Sequence, residues 1–580
     1  MNGNAQPAGD EISYNATALS ENLSVDMNSW NYDETNDIYY QTGLIYCAQP
    51  VDSNYESCGI YVPGKYFEGT KNANGTYSCS IKSDGKVGNY TASEAPVVMP
   101  INTPGYSSAK APSSNSTNSA KDYTDAGFIY LDAGCRGRDN GEAPDGVTDL
   151  KSAVLYYRFN GDVLPGDSEK IFTFGHSGGG AQSAIMGASG NSELYNPYLE
   201  SIGAAMVDKQ GNVQSNAIAG AMCWCPITSL DWADEAYEWN MGQYARSNET
   251  FENELSSDMA AEYAAYINEL GLKDPNGNTL TLKESDSGIY ASGSYYDYML
   301  TVTEESLNNF LNDTTFPYTP SSGGDMGGMP TGDVSGGDMS GDMPTGEVPE
   351  GDMSGDMPSQ DITNDDSYSE NSYETAQDYI DSLNGNDTWI EYDSDTNTTK
   401  ITSLEAFVKH CKNPSKSVPA FDDLNRSQAE NGLFGLSANG SSHFDKTVAN
   451  LLANNSEKYS KYSDYSADYA SQYSDDLAKT DSKNNTMETR VNMYNPMYYL
   501  CDYYGSAGSS DVAKYWRINT GIEQGDTSQC VDVNLYLAVL DKVGSDNVEF
   551  STVWGQGHTQ AERTGNSTGN FINWVNNCLD

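Results

Sequence analysis

Residues 171–188 read IFTFGHSGGGAQSAIMGA, and the fold turns on this stretch. Ile171 to Phe174 is a short apolar run with the length of a strand buried on both faces, and Gly175-His176-Ser177-Gly178-Gly179 matches G-x-S-x-G. Gly180 to Ala188 continues as a small-residue helix. A serine at so tight a strand-to-helix turn projects its hydroxyl from the sheet edge, and the glycines around it permit a strained backbone and close approach of sheet, helix and substrate. Ser177 is the candidate nucleophile. The N–H of Gly178, at the positive end of the helix, is the candidate donor to a developing oxyanion.

Outward from this turn the same alternation recurs. Ile38 to Tyr46 and Ile60 to Tyr66 read as opening strands, Ala95 to Ile101 and Gly127 to Asp132 as buried strands, and Asp149 to Phe159 as a helix with Leu150, Val154, Leu155 and Phe159 on one face. Near the far end, Tyr515 to Asn519 and Val548 to Trp554 read as strands around a helix closed by Gly544, and a last helix carries Phe571, Ile572, Val575 and Leu579. Strand alternating with helix predicts an α/β fold with a mostly parallel sheet. Between about Trp232 and Val491 the chain turns polar, Tyr-rich and Gly-rich, which reads as an insertion. The expected division is a polar leader over 1–35, a discontinuous core over 36–231 and 492–580, and an inserted cap over 232–491. Within the cap, residues 321–361 are low complexity, with Gly-Asp-Met five times, and are expected to be disordered. Tyr459, Tyr462, Tyr465, Tyr469 and Tyr473 fall at helical spacing, either as packing or as a phenolic wall over a pocket.

Lys+Arg 30 against Asp+Glu 83 gives a formal net charge of -53 over 580 residues, which repels phosphate backbones and counts against nucleic acid as a partner. No apolar stretch approaches the roughly 20 residues that a membrane span needs. The first basic residue is Lys65, so no signal peptide is legible; extreme acidity and a polar leader suit a secreted or cell-surface bacterial protein already processed. Ten cysteines are scattered without a Cys-x-x-Cys pair, which argues against zinc modules, and a bridge from Cys47 to Cys58 or Cys79 stands beside the plainer reading of buried thiols.

A serine nucleophile needs a base, and the chain has four histidines: His176, His410, His443 and His558. His176 leaves the turn in another direction, and His410 and His443 lie in the insertion. His558, in the loop Gly555-Gln556-Gly557-His558 after the last strand, is the candidate base. The acid belongs after the penultimate strand, where 521–528 (GIEQGDTS) offers Asp526 as first choice and Glu523 as fallback.

Together with these residues, 134–139 (GCRGRD), Asp149-Leu150-Lys151, 187–192 (GASGNS), 225–231 (CPITSLD), Glu238 to Met241, Asn413 to Gly435 and Asn495-Pro496-Met497 resemble the bacterial tannases, serine esterases of the α/β-hydrolase superfamily close to feruloyl esterases. The resemblance implies a triad of Ser177, Asp526 and His558, and a second oxyanion donor from 102–107 (NTPGYS) at Tyr106. It also implies a cap that grips galloyl hydroxyls through Lys416 and Glu430. Ser528 stands where tannases carry a further acidic residue past the triad acid, a departure that counts against gallate specificity more than against esterase activity. The expected activity is hydrolysis of a small phenolic ester through an acyl-enzyme, with no cofactor and no metal. The competing readings are a general carboxylesterase or serine peptidase on the same scaffold, and a catalytically idle surface-binding protein.

Overall fold

A computed structural model describes residues 22–112, 116–246, 248–320, 372–412 and 414–580. Nine strands form one sheet: β1 (Asn31–Asp33), β2 (Ile38–Ile45), β3 (Ser57–Pro63), β4 (Val97–Ile101), β5 (Ile129–Ala133), β6 (Ile171–His176), β7 (Gly220–Trp224), β8 (Tyr515–Gly521) and β9 (Val548–Val553). Their spatial order is β1-β2-β3-β5-β4-β6-β7-β8-β9. From β5 to β9 all neighbours run parallel, and the β1, β2, β3 end is antiparallel. The α/β class with a mostly parallel sheet is the observed one, and β6, whose sequence opens the argument, lies in its interior.

Strand alternation sorts the core into two layers. Phe172 and Phe174 of β6 face one side, where Phe174 meets Phe571 at 4.4 Å and Tyr123 at 5.4 Å, and Phe172 meets Trp574 at 5.6 Å. These rings come from helix α1 (Thr117–Asp125) and the last helix of the chain (Ser567–Leu579). Thr173, between them, points the other way and bonds Ser183 at 2.8 Å. Ser183 lies on α3 (Gly178–Ala188), which packs beside α2 (Asp145–Phe159).

Two of the motifs serve the scaffold. Arg136 donates from its backbone N–H (2.8 Å), Nε (3.0 Å) and Nη2 (2.8 Å) to the Asp149 carboxylate, with both side chains buried, and so ties the loop after β5 to α2. Lys151, on the same helix, donates to Ser189 O (2.8 Å) and Asn216 Oδ1 (3.1 Å). Its ammonium is fully buried, and that desolvation pushes its pKa down to about 7.

Between β7 and β8 the inserted helices fold down onto the carboxyl ends of the last strands. Ser306 donates to Thr552 O (2.9 Å), Lys412 to Ile522 O (3.0 Å), Tyr237 to Gly525 O (2.9 Å) and Trp554 Nε1 to Tyr379 (2.9 Å). Two expectations change. The leader reading of 1–35 fails at its inner end, because Leu23, Val25 and Trp30 are buried and β1 pairs with β2; an aromatic and two aliphatics outweigh a polar composition. The tyrosines from 459 to 473 do not share one helix: they are divided between Ser456–Tyr459, a turn, and Asp468–Leu477, and several pack on Phe251, with Tyr459 at 5.1 Å and Tyr465 at 5.0 Å. The low-complexity segment 321–361 lies outside the described residues. All ten cysteines are free, and no described helix is long and apolar enough to cross a membrane.

Arg136→Met should lower stability by about 3–5 kcal/mol, since it leaves Asp149 and the neighbouring Glu56 as buried charge without a partner. Chemical denaturation reads this directly, and Arg136→Met combined with Asp149→Leu should recover a large part of the loss.

Candidate active site

The turn from β6 into α3 holds Ser177 at φ 59°, ψ −122°, a backbone conformation that costs a non-glycine residue about 1–3 kcal/mol. Neighbouring carbonyls enforce it. A Cβ on Gly178 would sit 2.4 Å from Thr103 O, and one on Gly179 would sit 2.1 Å from Ile101 O, so helix and strand approach only as glycines. Ser177 N–H donates to Trp224 O at 3.0 Å, which pins the turn to β7. Gly178 is the first residue of α3, where an N–H has no acceptor within the helix.

The second expected oxyanion donor is engaged elsewhere. Tyr106 has φ 58°, and its N–H donates to Thr103 O at 2.9 Å, because the 104–106 turn closes on itself. Arg138 braces that turn, with Nε on Gly105 O at 2.8 Å and its own N–H on Tyr106 O at 3.0 Å, while the buried Tyr106 phenol donates to Ile227 O.

His558 stands on the loop after β9, its ring centroid 4.6 Å from that of His176. Its Nδ1 lies 2.6 Å from Oε1 of Gln524, which is neither of the acids expected there. The other end of the Gln524 amide is engaged as well, its Nε2 donating to Thr520 Oγ1 at 2.5 Å, so that Oε1 is the atom facing the imidazole. Glu523 points away and accepts from Gly555 N–H at 3.2 Å, where burial raises its pKa. Asp526 is exposed at the cap side, close enough to Glu430 and Tyr237 for its charge to raise both their pKa values. The assignment of Asp526 to the imidazole is therefore corrected to Gln524. The reason is local: the tight end of β8, where a Cβ on Gly521 would meet Gly557 O at 1.9 Å, presents position 524 to the histidine loop and carries 526 past it. An amide in an acid's place left no signal in a search for carboxylates.

The other histidines are accounted for. His176 is pushed down to about 4, first by burial and then by His558, so its ring is neutral at neutral pH. His410 stacks on Trp389, and His443 is buried with Nδ1 2.6 Å from Asp422. The grouping of His176, Cys225 and His558, with one ligand atom from each within 4.8 Å of the others, escaped sequence reading because it joins segments distant in the chain.

On the cap, Lys416 holds its ammonium 4.1 Å from the Phe421 ring centroid. Glu430, on the short helix Ala429–Leu433 packed against the 104–106 turn, is 3% exposed. Burial raises its pKa foremost; Lys416 and Arg138 oppose this, and Asp526 adds to it. Lys416, Glu430 and Asp526 thus share one electrostatic neighbourhood beside the 104–106 turn.

The family profile BD-FAE matches residues 87–265. Among solved structures, the Fusobacterium nucleatum tannase is 26% identical with a TM-score of 0.66, the likeness covering 96% of this chain and 99% of that one. A tannin acyl hydrolase from Lactobacillus plantarum is 23% identical with a TM-score of 0.65, over 97% and 100%. A tannin acyl hydrolase in complex with ethyl gallate is 23% identical with a TM-score of 0.63, over the same shares. No curated protein sequence matches. These likenesses support a hydrolase of the esterase kind. The chain thus has the α/β-hydrolase fold and, over nearly its whole length, is similar to the bacterial tannases.

Proposed function

We propose that the chain is a serine esterase hydrolysing phenolic acyl esters of galloyl or feruloyl type through an acyl-enzyme. The observation that carries this reading is Ser177, strained at a helix N-terminus and next in sequence to a ring that touches His558, whose Nδ1–H is tied to Gln524. With the proton on Nδ1, the lone pair that a general base uses sits on Nε2. Ser177 Oγ attacks the ester carbonyl, its proton passes to His558 Nε2, and the oxyanion forms at Gly178 N–H and the positive end of α3. Collapse expels the alcohol, which takes the proton from Nε2. Water then attacks the acyl-enzyme by the same route in reverse order. Tyr106 joins as a second donor once its N–H leaves Thr103 O. Lys416, Glu430 and Asp526 supply charged donors and acceptors suited to ring hydroxyls, and the neighbours described as tannases support the galloyl choice.

Gln524 favours one other reading, the catalytically idle binding protein, because a neutral amide gives the imidazolium no charge to lean on. Its fixed orientation argues for catalysis. An amide in this place costs about 10⁴ in turnover when it selects the wrong tautomer, and Thr520 holds this one in the productive sense.

A fluorophosphonate probe should label the wild type at Ser177. Ser177→Ala and His558→Ala should each cut kcat by several orders of magnitude, and the double variant should be scarcely worse than either. An unlabelled, folded wild type would establish the idle reading. Gln524→Glu, which restores a carboxylate to Nδ1, should raise kcat roughly tenfold. Thr520→Val, which releases the amide to turn over, should lower kcat by about 10-fold or more with KM little changed. Finally, gallate esters should exceed benzoate esters in kcat/KM by about 100-fold, because a pocket built for hydroxyls leaves its polar groups unpaired around an unsubstituted ring. Lys416→Met, Glu430→Gln and Asp526→Asn should each shrink that ratio while hydrolysis of a small unsubstituted ester survives.

A further inference from the structure

We propose that His176, Cys225 and His558 form a binding site for a soft divalent cation of the zinc or cadmium type, and that its occupation switches hydrolysis off. The second half rests on the esterase reading; the first does not. One nitrogen of each imidazole and Cys225 Sγ all lie within 4.8 Å of one another. In a tetrahedral zinc site, with Zn–N about 2.0–2.1 Å and Zn–S about 2.3 Å, such atoms stand roughly 3.3–3.6 Å apart, so a closure of about 1 Å completes the set. The segment carrying His558 includes Gly555 and Gly557, which bend at little cost.

The surroundings suit a cation. His176 Nε2 is buried and has no hydrogen-bond partner among the described residues, an arrangement that costs free energy and that a metal bond relieves. Gly521 N–H donates to Cys225 Sγ at 3.3 Å, a hydrogen bond that holds the sulfur in place and that a metal-bound sulfur can keep. On binding, the thiol proton is released to water and the sulfur–metal bond replaces the S–H bond; nothing is oxidised or reduced. Two imidazoles and one thiolate select zinc or cadmium over magnesium or calcium, and the formal net charge of -53 concentrates cations around the molecule. Whichever nitrogen of His558 the metal takes, hydrolysis stops: Nε2 is the lone pair of the base, and Nδ1 is the anchor to Gln524. Cys225 stands at φ 41° immediately after β7, so the same strand end that pins the serine turn presents the sulfur.

Zinc chloride titrated by calorimetry into the full chain carrying Ser177→Ala, which keeps all three ligands, should show one site with Kd of about 1 μM or tighter. Cys225→Ser and His176→Asn in that background should each weaken it about 100-fold or more. Cobalt(II) should give a thiolate-to-metal charge-transfer band that Cys225→Ser abolishes. In the wild type, zinc should inhibit ester hydrolysis at the same concentration, and EDTA should restore it. Absence of one-to-one binding below millimolar zinc, or equal affinity in folded variants, overturns the site. Binding without inhibition of an active wild type overturns the switch. A wild type inactive on every ester sinks the esterase reading and with it the switch, while the calorimetry still judges the site.

Discussion

Between the carboxyl end of β6 and the first turn of α3 there is no space for a side chain, because the carbonyls of Ile101 and Thr103 stand within 2.1 and 2.4 Å of where one would begin. Everything near the site inherits its position from that steric limit. The helix can start so close to the sheet only if Ser177 takes a left-handed φ, and in that conformation its N–H reaches Trp224 O. The hydrogen bond fixes the spacing of β6 and β7, and beyond β7 the N–H of Cys225 meets Asn519 O of β8 at 2.8 Å. Three strand ends are thereby locked in register, and the histidine loop closes over Gly521 because that position, too, has no side chain.

The polar chemistry around His558 follows from the same crowding. Position 524 is buried, and a carboxylate there would pay a desolvation penalty unless it were fully bonded. Gln524 is neutral and has both ends of its amide occupied, one by Nδ1 of the imidazole and one by Thr520. Orientation is thus supplied by hydrogen bonds, and the two acids of the same loop are turned elsewhere, Glu523 toward Gly555 and Asp526 toward Glu430 and Tyr237.

The segment between β7 and β8 depends on buried carboxylates that accept hydrogen bonds from its backbone. Asp234 accepts from the N–H groups of Phe421 (2.6 Å) and Asp422 (3.0 Å), and Asp422 in turn accepts from Phe444 and Asp445 N–H, both at 2.7 Å, and from Asn431. This chain of acceptors runs from the edge of the core into the segment that holds Lys416 and Glu430. It explains why an acid-rich insertion folds over the sheet: part of its negative charge is consumed as hydrogen-bond acceptance inside the protein.

How far the sequence reached can be read from particular residues. The short continuous apolar runs at 95–101, 127–132 and 171–174 and the glycines around Ser177 specify buried strands, a parallel sheet and a tight strand-to-helix turn, because these are local consequences of side-chain size and hydrophobicity. Four histidines, three of them poorly placed along the chain, single out His558. Tertiary structure alone decided the partner of its Nδ1. Gln524 and Asp526 are two residues apart in one loop, and only the packing of that loop against Gly557 determines which of them meets the ring. The same holds for the burial of Trp30 in an apparently polar leader, for the division of the tyrosines between two short helices on Phe251, and for the meeting of His176, Cys225 and His558. Each is a contact between segments distant in the chain, set by how strand ends converge, and no local pattern encodes that convergence.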